Sequence, residues 1–223
     1  MFTEVRAVLF DLDGTFADTA PDLGAALNRL LREAGQAPLP LELIRPQTSN
    51  GARGLLKIGF GITPSNATYA ELLSRFLTYY AEAVCVDTRI FEGIDAMLDA
   101  LETRGIKWGI VTNKAQRFTQ PLVEKLGFHQ RAACIVSGDS ATRPKPHPDP
   151  LLLASQLMHI APAHCAYVGD DLRDVEAGRT AGMKTIVATY GYLGNGKPPA
   201  EWGADALISH PRELLALLDG AAC

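Results

Sequence analysis

The rhythm of apolar and polar positions changes twice along the chain. Residues 5–10 close on the unbroken run Ala7-Val8-Leu9-Phe10 and stop at Asp11, which predicts a strand buried on both faces of a parallel sheet. From Thr19 the period becomes helical. Leu23, Leu27, Leu30 and Ala34 share one face, Thr19 with Asp22 gives a capping-box signal, and Gly35 supplies the stop. A second long helix is predicted from Tyr69, Leu72, Leu73, Phe76, Tyr80 and Ala83, with Asn66 as its cap. Between the two, Asn50-Gly51-Ala52-Arg53-Gly54 reads as a loop or a helix start. Beyond Gly93, short apolar strands at 108–111, 133–136, 165–168, 185–188 and 206–208 alternate with helices at 94–104, around 121–126, 148–158, 171–181 and 211–218. Pro121 is predicted in the first turn of its helix or at a kink, because in a helix interior it removes a hydrogen bond.

This alternation defines an α/β fold, a Rossmann-like parallel sheet with helices on both faces. A helical insertion follows the first strand. The predicted organisation is a catalytic core of residues 1–15 and 87–223 with a helical cap of residues 16–86. At 223 residues, 47% of them hydrophobic and 21% charged, the chain has the composition of a soluble globular protein. Its 21 basic and 25 acidic residues leave a net charge of -4 with no dense Lys/Arg block, which excludes a general nucleic-acid or membrane-surface binder. Cys85, Cys134, Cys165 and Cys223 form no CxxC pair, so idle thiols in a reducing compartment are expected rather than zinc or disulfides. The five histidines are dispersed without metal-ligand spacing. The start of the chain lacks the apolar length of a signal peptide, and a cytoplasmic location is expected. Trp108 and Trp202 are expected to pack on the sheet, and one ring of Tyr79-Tyr80 to be buried. Nothing in the pattern distinguishes a monomer from a dimer.

Chemistry concentrates where the predicted strands end. Asp11 and Asp13 follow the first strand, and Gly14 lets the chain turn so that the two carboxylates can act differently, one as nucleophile and one as proton donor. Thr112, Asn113 and Lys114 follow the strand at 108–111 and suit phosphate oxygens. Lys145 lies in Pro144-Lys145-Pro146-His147-Pro148-Asp149-Pro150, a proline-stiffened segment able to hold a point charge still. Asp170 and Asp171, with Asp174 on the following helix, bring further carboxylates to the same edge. Hard oxygen ligands beside a phosphate site point to Mg²⁺.

Asp11-x-Asp13-Gly14-Thr15, Thr112-Asn113, Lys145 and Gly169-Asp170-Asp171-Leu172-Arg173-Asp174, in that order, resemble the four motifs of the haloacid dehalogenase superfamily. The helical insertion after the first motif resembles that superfamily's first cap class, on the phosphoglycolate phosphatase branch. Residues 90–93, 108–114, 169–174, 190–192 and 202–205 are also similar to N-acetylmuramic acid 6-phosphate phosphatases. The resemblance implies a Mg²⁺-dependent phosphomonoesterase acting on a small carboxylated metabolite through an aspartyl-phosphate. Asp11 is implied as nucleophile and Asp13 as general acid and base. Thr112 and Asn113 are implied as phosphate ligands, and Lys145 as the bridge between nucleophile and substrate. Mg²⁺ is implied on the Asp11 carboxylate, the Asp13 main-chain carbonyl and Asp170, with Asp171 or Asp174 as outer ligand. Asp171 stands where relatives usually carry Ser or Thr. Arg53 is the predicted reader of a substrate carboxylate, with Arg45 as its rival. The resembling dehalogenases lack an acid at the position of Asp13 and phosphonate-cleaving relatives carry Ala there, which favours phosphate esters. A phosphosugar mutase of the same fold and a non-catalytic metabolite-binding protein are the alternatives.

Overall fold

The structure, a computed structural model, describes residues 2–194 and 196–220. Strand β1 (Ala7–Phe10) is followed by β2 (Ala17–Asp18) and four helices, α1 (Ala20–Glu33), α2 (Leu41–Ile44), α3 (Gly51–Phe60) and α4 (Tyr69–Glu82), with a 3₁₀ turn at Arg45–Asn50. The chain returns through β3 (Arg89–Ile90) to α5 (Ile94–Thr103), β4 (Lys107–Val111), α6 (Gln116–Lys125), β5 (Cys134–Val136) and α7 (Asp149–Met158). It ends with β6 (Cys165–Gly169), α8 (Leu172–Ala181), β7 (Lys184–Ala188), β8 (Ala206–Ile208) and α9 (Glu213–Leu218).

Six strands form one parallel sheet in the order β5-β4-β1-β6-β7-β8. The chain builds outward from β1 through β4 and β5, then crosses to β6 and builds the other way, which opens a crevice at the carboxyl ends beside β1. Register decides what meets there. Phe10 is level with Ile110 on one side and Val168 on the other, so Asp11, Thr112 and Asp170 emerge side by side just past the last paired residues.

The strands bury both faces, as β1's unbroken apolar run predicts. Val8, Phe10, Trp108 and Ile110 pack into one cluster, whereas Ala7, Leu9, Val111 and Tyr167 pack into the cluster on the opposite face. Trp108 stacks on Phe16 with ring centroids 5.8 Å apart, and Trp202 is also buried. The inserted helices pack on one another, α1 against α4 and α3, through Leu27, Leu30, Leu55, Leu56 and Phe76. At the margin of this helical stretch β2 pairs antiparallel with β3, so the outgoing and returning strands lie together. Of the Tyr79-Tyr80 pair, Tyr80 is the buried ring.

The 50–54 stretch, read as a loop or a helix start, is the start of α3. Local signals were overridden elsewhere. Thr19 does not cap α1 with its side chain: its Oγ1 donates to Asp13 Oδ1, and Tyr192 Oη accepts from the Thr19 and Ala20 amides at 2.8 and 2.9 Å. Asp22, expected in a capping box, instead accepts from the Val86, Asp87 and Thr88 amides and from Thr88 Oγ1, at 3.0, 2.8, 3.0 and 2.6 Å. Asn66 accepts from the Thr63 amide in a turn before α4 rather than capping that helix. Pro121 sits in the middle of α6, whose buried face is held by Phe118, Thr119, Leu122 and Val123. The packing of that face outweighs the hydrogen bond that proline removes.

Cys134 and Cys165 are buried, and desolvation pushes their thiols up to about 12 and about 11; Cys223 lies outside the described residues. Only the thiolate alkylates readily. Iodoacetamide at pH 8 is therefore expected to spare both buried thiols in the native protein and to reach them after denaturation, read by peptide mass spectrometry. Native labelling of Cys134 as fast as the half-buried Cys85 would contradict this environment.

Candidate active site

Gly14 is the first local requirement of the site. Its φ of +89° is unfavourable for other residues, and a Cβ there would collide with the Asp170 carboxylate. The chain can therefore turn after Asp13 directly against the end of β6. Asp170 is wholly buried, accepting from Thr15 Oγ1 at 3.0 Å and the Tyr192 amide at 2.8 Å.

Lys145 arrives from the proline-rich loop and its side chain is 3% exposed. Its Nζ lies 2.9 Å from Asp11 Oδ1, 2.7 Å from Asp174 Oδ1 and 2.6 Å from Tyr167 Oη. Tyr167 Oη in turn donates to the Val111 carbonyl at 2.8 Å. Burial works against the ammonium charge, but Asp11 and Asp174 outweigh it and raise Lys145 above its usual range. Asn113 pins the Lys145 backbone from both sides, accepting from its amide and donating to its carbonyl, each at 2.9 Å. The Asn113 amide is thus engaged with Lys145, while Thr112 Oγ1 accepts from the Lys114 amide at 3.1 Å and keeps its hydroxyl proton.

Carboxyl oxygens of Asp11, Asp170 and Asp174 lie within 4.8 Å of one another. Desolvation, reinforced by Asp174 and Asp13, pushes Asp11 up to about 7 in spite of Lys145. Burial and then the charges of Asp11 and Asp174 raise Asp170 well above the carboxylate range. Asp11 Oδ1, although close to Lys145, receives no aligned hydrogen bond. Two buried acids and a half-buried one against one ammonium make a cluster short of positive charge. Its hard oxygen donors fit a divalent cation such as Mg²⁺.

The second acid pair separates. Asp171 is the N-cap of α8, its carboxylate accepting from the Arg173 amide and paired with the Arg173 guanidinium at 2.8 Å. Despite burial, Arg173 holds the Asp171 carboxyl below its usual range. Asp174 closes the capping box through the Asp171 amide at 3.1 Å and turns its other oxygen to Lys145. Asp174 thus joins Asp11 and Asp170, whereas Asp171 faces Arg173. Arg173 also donates to the Ser49 carbonyl at 2.7 Å, linking α8 to the inserted segment.

Asp13 Oδ1 sits 3.0 Å from Lys114 Nζ and accepts from Thr19 Oγ1. Lys114 is nearly buried, its side chain 7% exposed. Asp11, Asp13, Thr112, Asn113 and Lys145 share one cavity of about 340 Å³, whose remaining wall includes Thr48, Leu23, Phe76 and Tyr80 from the inserted segment and Arg117 and Phe118 from α6. Arg53 does not line it and is exposed on α3. Arg45 is paired with Asp18 at 2.7 Å. Sequence reasoning missed Tyr167, Arg117 and the link made by Arg173. Tyr167 had no local signal, since its partners Lys145, Val111 and Asp174 lie 22, 56 and 7 residues away on other elements.

A strand-end aspartate, a buried lysine and a carboxylate cluster at the carboxyl edge of a doubly wound sheet agree with the sequence comparisons. The family model of haloacid dehalogenase-like hydrolases matches residues 8–188, and the chain belongs to that family. N-acetylmuramic acid 6-phosphate phosphatase of Pseudomonas aeruginosa is 42% identical over 219 residues, 98% of this chain and 97% of the relative. Phosphoglycolate phosphatase of Xanthomonas campestris is 42% identical over 209 residues, 94% of each chain. The crystal structure of a predicted phosphoglycolate phosphatase from Haemophilus somnus superposes with a TM-score of 0.85 at 26% identity, covering 96% of this chain and 98% of that one. Within the family, the protein is a phosphoric monoester hydrolase.

Proposed function

We propose that the protein is a Mg²⁺-dependent phosphatase of carboxylated sugar phosphates, with N-acetylmuramic acid 6-phosphate as its substrate ahead of 2-phosphoglycolate. The observation that carries the choice of substrate is the cavity. About 340 Å³ in one half-open cleft with Asp11 falls in the range that accommodates a sugar-sized ligand, far more than a two-carbon acid fills. Leu23, Phe76 and Phe118 on its wall suit the apolar faces of a sugar ring.

In this reading a carboxylate oxygen of Asp11 attacks phosphorus and the ester P–O bond breaks, leaving an aspartyl-phosphate. Asp13, held by Lys114 and Thr19, gives its proton to the leaving alkoxide. It then takes a proton from the water that attacks phosphorus, which releases phosphate and restores Asp11. Thr112 Oγ1 donates to a phosphate oxygen, and Lys145 offsets the negative charge gathered at Asp11. Asp11, Asp170 and Asp174 would hold Mg²⁺, which supplies the positive charge that lets a phosphate dianion approach three acids. Residues 16–86 serve as the cap, their helices excluding water during transfer. A cytoplasmic enzyme acting on a soluble metabolite completes the reading; among the described residues no helix is long and apolar enough to cross a membrane.

The test is phosphate release with and without Mg²⁺ from N-acetylmuramic acid 6-phosphate and 2-phosphoglycolate, compared as kcat/KM. A preference of at least about tenfold for the sugar ester is expected, together with loss of turnover in EDTA. Equal or reversed preference would overturn the substrate assignment, and undiminished turnover in EDTA the metal dependence.

A further inference from the structure

Four cationic side chains line the cavity that holds Asp11: Lys114, Arg117, Lys145 and Arg173. Three of them are already paired. Lys114 lies 3.0 Å from Asp13, Lys145 lies 2.9 Å from Asp11 and 2.7 Å from Asp174, and Arg173 lies 2.8 Å from Asp171. Among the described residues no carboxylate pairs with Arg117, whose guanidinium carbon rests 4.7 Å from the centroid of the Phe118 ring. The aromatic face supports the guanidinium without neutralising it.

The position of Arg117 separates it from the phosphoryl chemistry. It lies in the first turn of α6, four residues beyond Asn113, and borders both the catalytic cavity and an outer groove against Leu77 and Thr78 of α4. It therefore stands at the seam between the sheet domain's helices and the inserted ones, while the phosphoryl group is handled at the strand ends. A cation there with no internal partner is available to a charge the ligand brings, and its planar fork matches a carboxylate.

We infer that Arg117 binds the substrate's carboxylate at the end remote from phosphorus and so selects carboxylated phosphate esters over their neutral counterparts. The inference rests on the phosphatase reading above and moves the carboxylate-binding role from Arg53 to Arg117. N-acetylmuramic acid 6-phosphate differs from N-acetylglucosamine 6-phosphate by a lactyl ether bearing that carboxylate, and 2-phosphoglycolate and ethyl phosphate form a second matched pair.

The experiment measures kcat/KM for both members of each pair with wild-type protein, Arg117→Met, Arg117→Lys and Arg53→Met. The readout is the preference ratio within one preparation, which cancels any loss of folded enzyme. Wild type is expected to favour the carboxylated member of the pair it turns over. Arg117→Met is expected to lower that ratio about 10- to 100-fold, the range of one lost charge-assisted bond. Arg117→Lys should fall between, keeping charge without the fork, and Arg53→Met should keep the wild-type ratio. An unchanged ratio in Arg117→Met, or a wild type indifferent to the carboxylate in both pairs, overturns the inference while leaving the phosphatase reading intact. Turnover of 2-phosphoglycolate alone, with an Arg117-dependent preference, would instead remove the sugar assignment and support Arg117.

Discussion

Asp11→Asn is expected to lower kcat at least about 10⁴-fold while raising the melting temperature measured without Mg²⁺. In the proposed mechanism the first effect follows from the loss of the attacking oxygen, because a carboxamide is a poor nucleophile even in unchanged geometry. The second follows from charge. Asp11, Asp170 and Asp174 lie within 4.8 Å of one another with Lys145 as their shared cation. Asn removes one negative charge, and Lys145 keeps its contact with Asp174 at 2.7 Å. A gain of about 1 kcal/mol would appear as roughly 2–4 °C in a domain of this size. The stabilisation gained from added Mg²⁺ should shrink at the same time, since the cluster offers one anionic ligand fewer. Thermal unfolding with and without Mg²⁺, beside a phosphate-release assay, reads all three effects. Turnover above about 1% of wild type would displace Asp11 as nucleophile, and a lower melting temperature without metal would mean that the three acids are not under mutual repulsion.

The position of Asp11 was legible in the sequence because strand and chemistry adjoin. An apolar run stopping at an acid can be read locally, and parallel register then aligns the ends of β1, β4 and β6. The choice among the acids after β6 was not legible in the same way. Asp171 and Asp174 are equivalent as composition. They part because Asp171, with φ -129° and ψ 150°, occupies the N-cap and faces the α8 amides, while Asp174 one turn later reaches back toward Lys145. Asn113 shows a related limit. Its side-chain amide holds the Lys145 backbone 32 residues away, a contact that no local pattern announces. Arg53 and Arg117 are likewise alike as residue types. Both are exposed, and only the packing of α3 and α6 decides that Arg117 borders the cavity while Arg53 does not. What periodicity conveys is which face of an element is buried; which polar groups meet across elements depends on tertiary geometry.

Asp22 carries the largest effect expected on stability, and it joins the two ends of the inserted segment. Its carboxylate is 2% exposed in the first turn of α1 and accepts four hydrogen bonds from Val86, Asp87 and Thr88. The helix N-terminus favours the negative charge there. Asp22→Ala would leave the buried Thr88 amide and hydroxyl and the part-buried Val86 and Asp87 amides without their acceptor, at a cost of about 3–5 kcal/mol. In a chain of this length that corresponds to a fall of roughly 8–15 °C in melting temperature. Asp22→Asn keeps the volume but turns an NH₂ toward amide donors, so it should recover less than half of the loss. Because β3 follows directly on Thr88 and pairs with β2, the damage should begin where the insertion closes. Limited proteolysis near residues 86–88 is expected in Asp22→Ala before global unfolding, identified by mass spectrometry of the first fragments. A loss below about 1 kcal/mol without early cleavage would mean that the freed donors are satisfied by water, and hence that this junction opens in the native state rather than holding the insertion to the sheet.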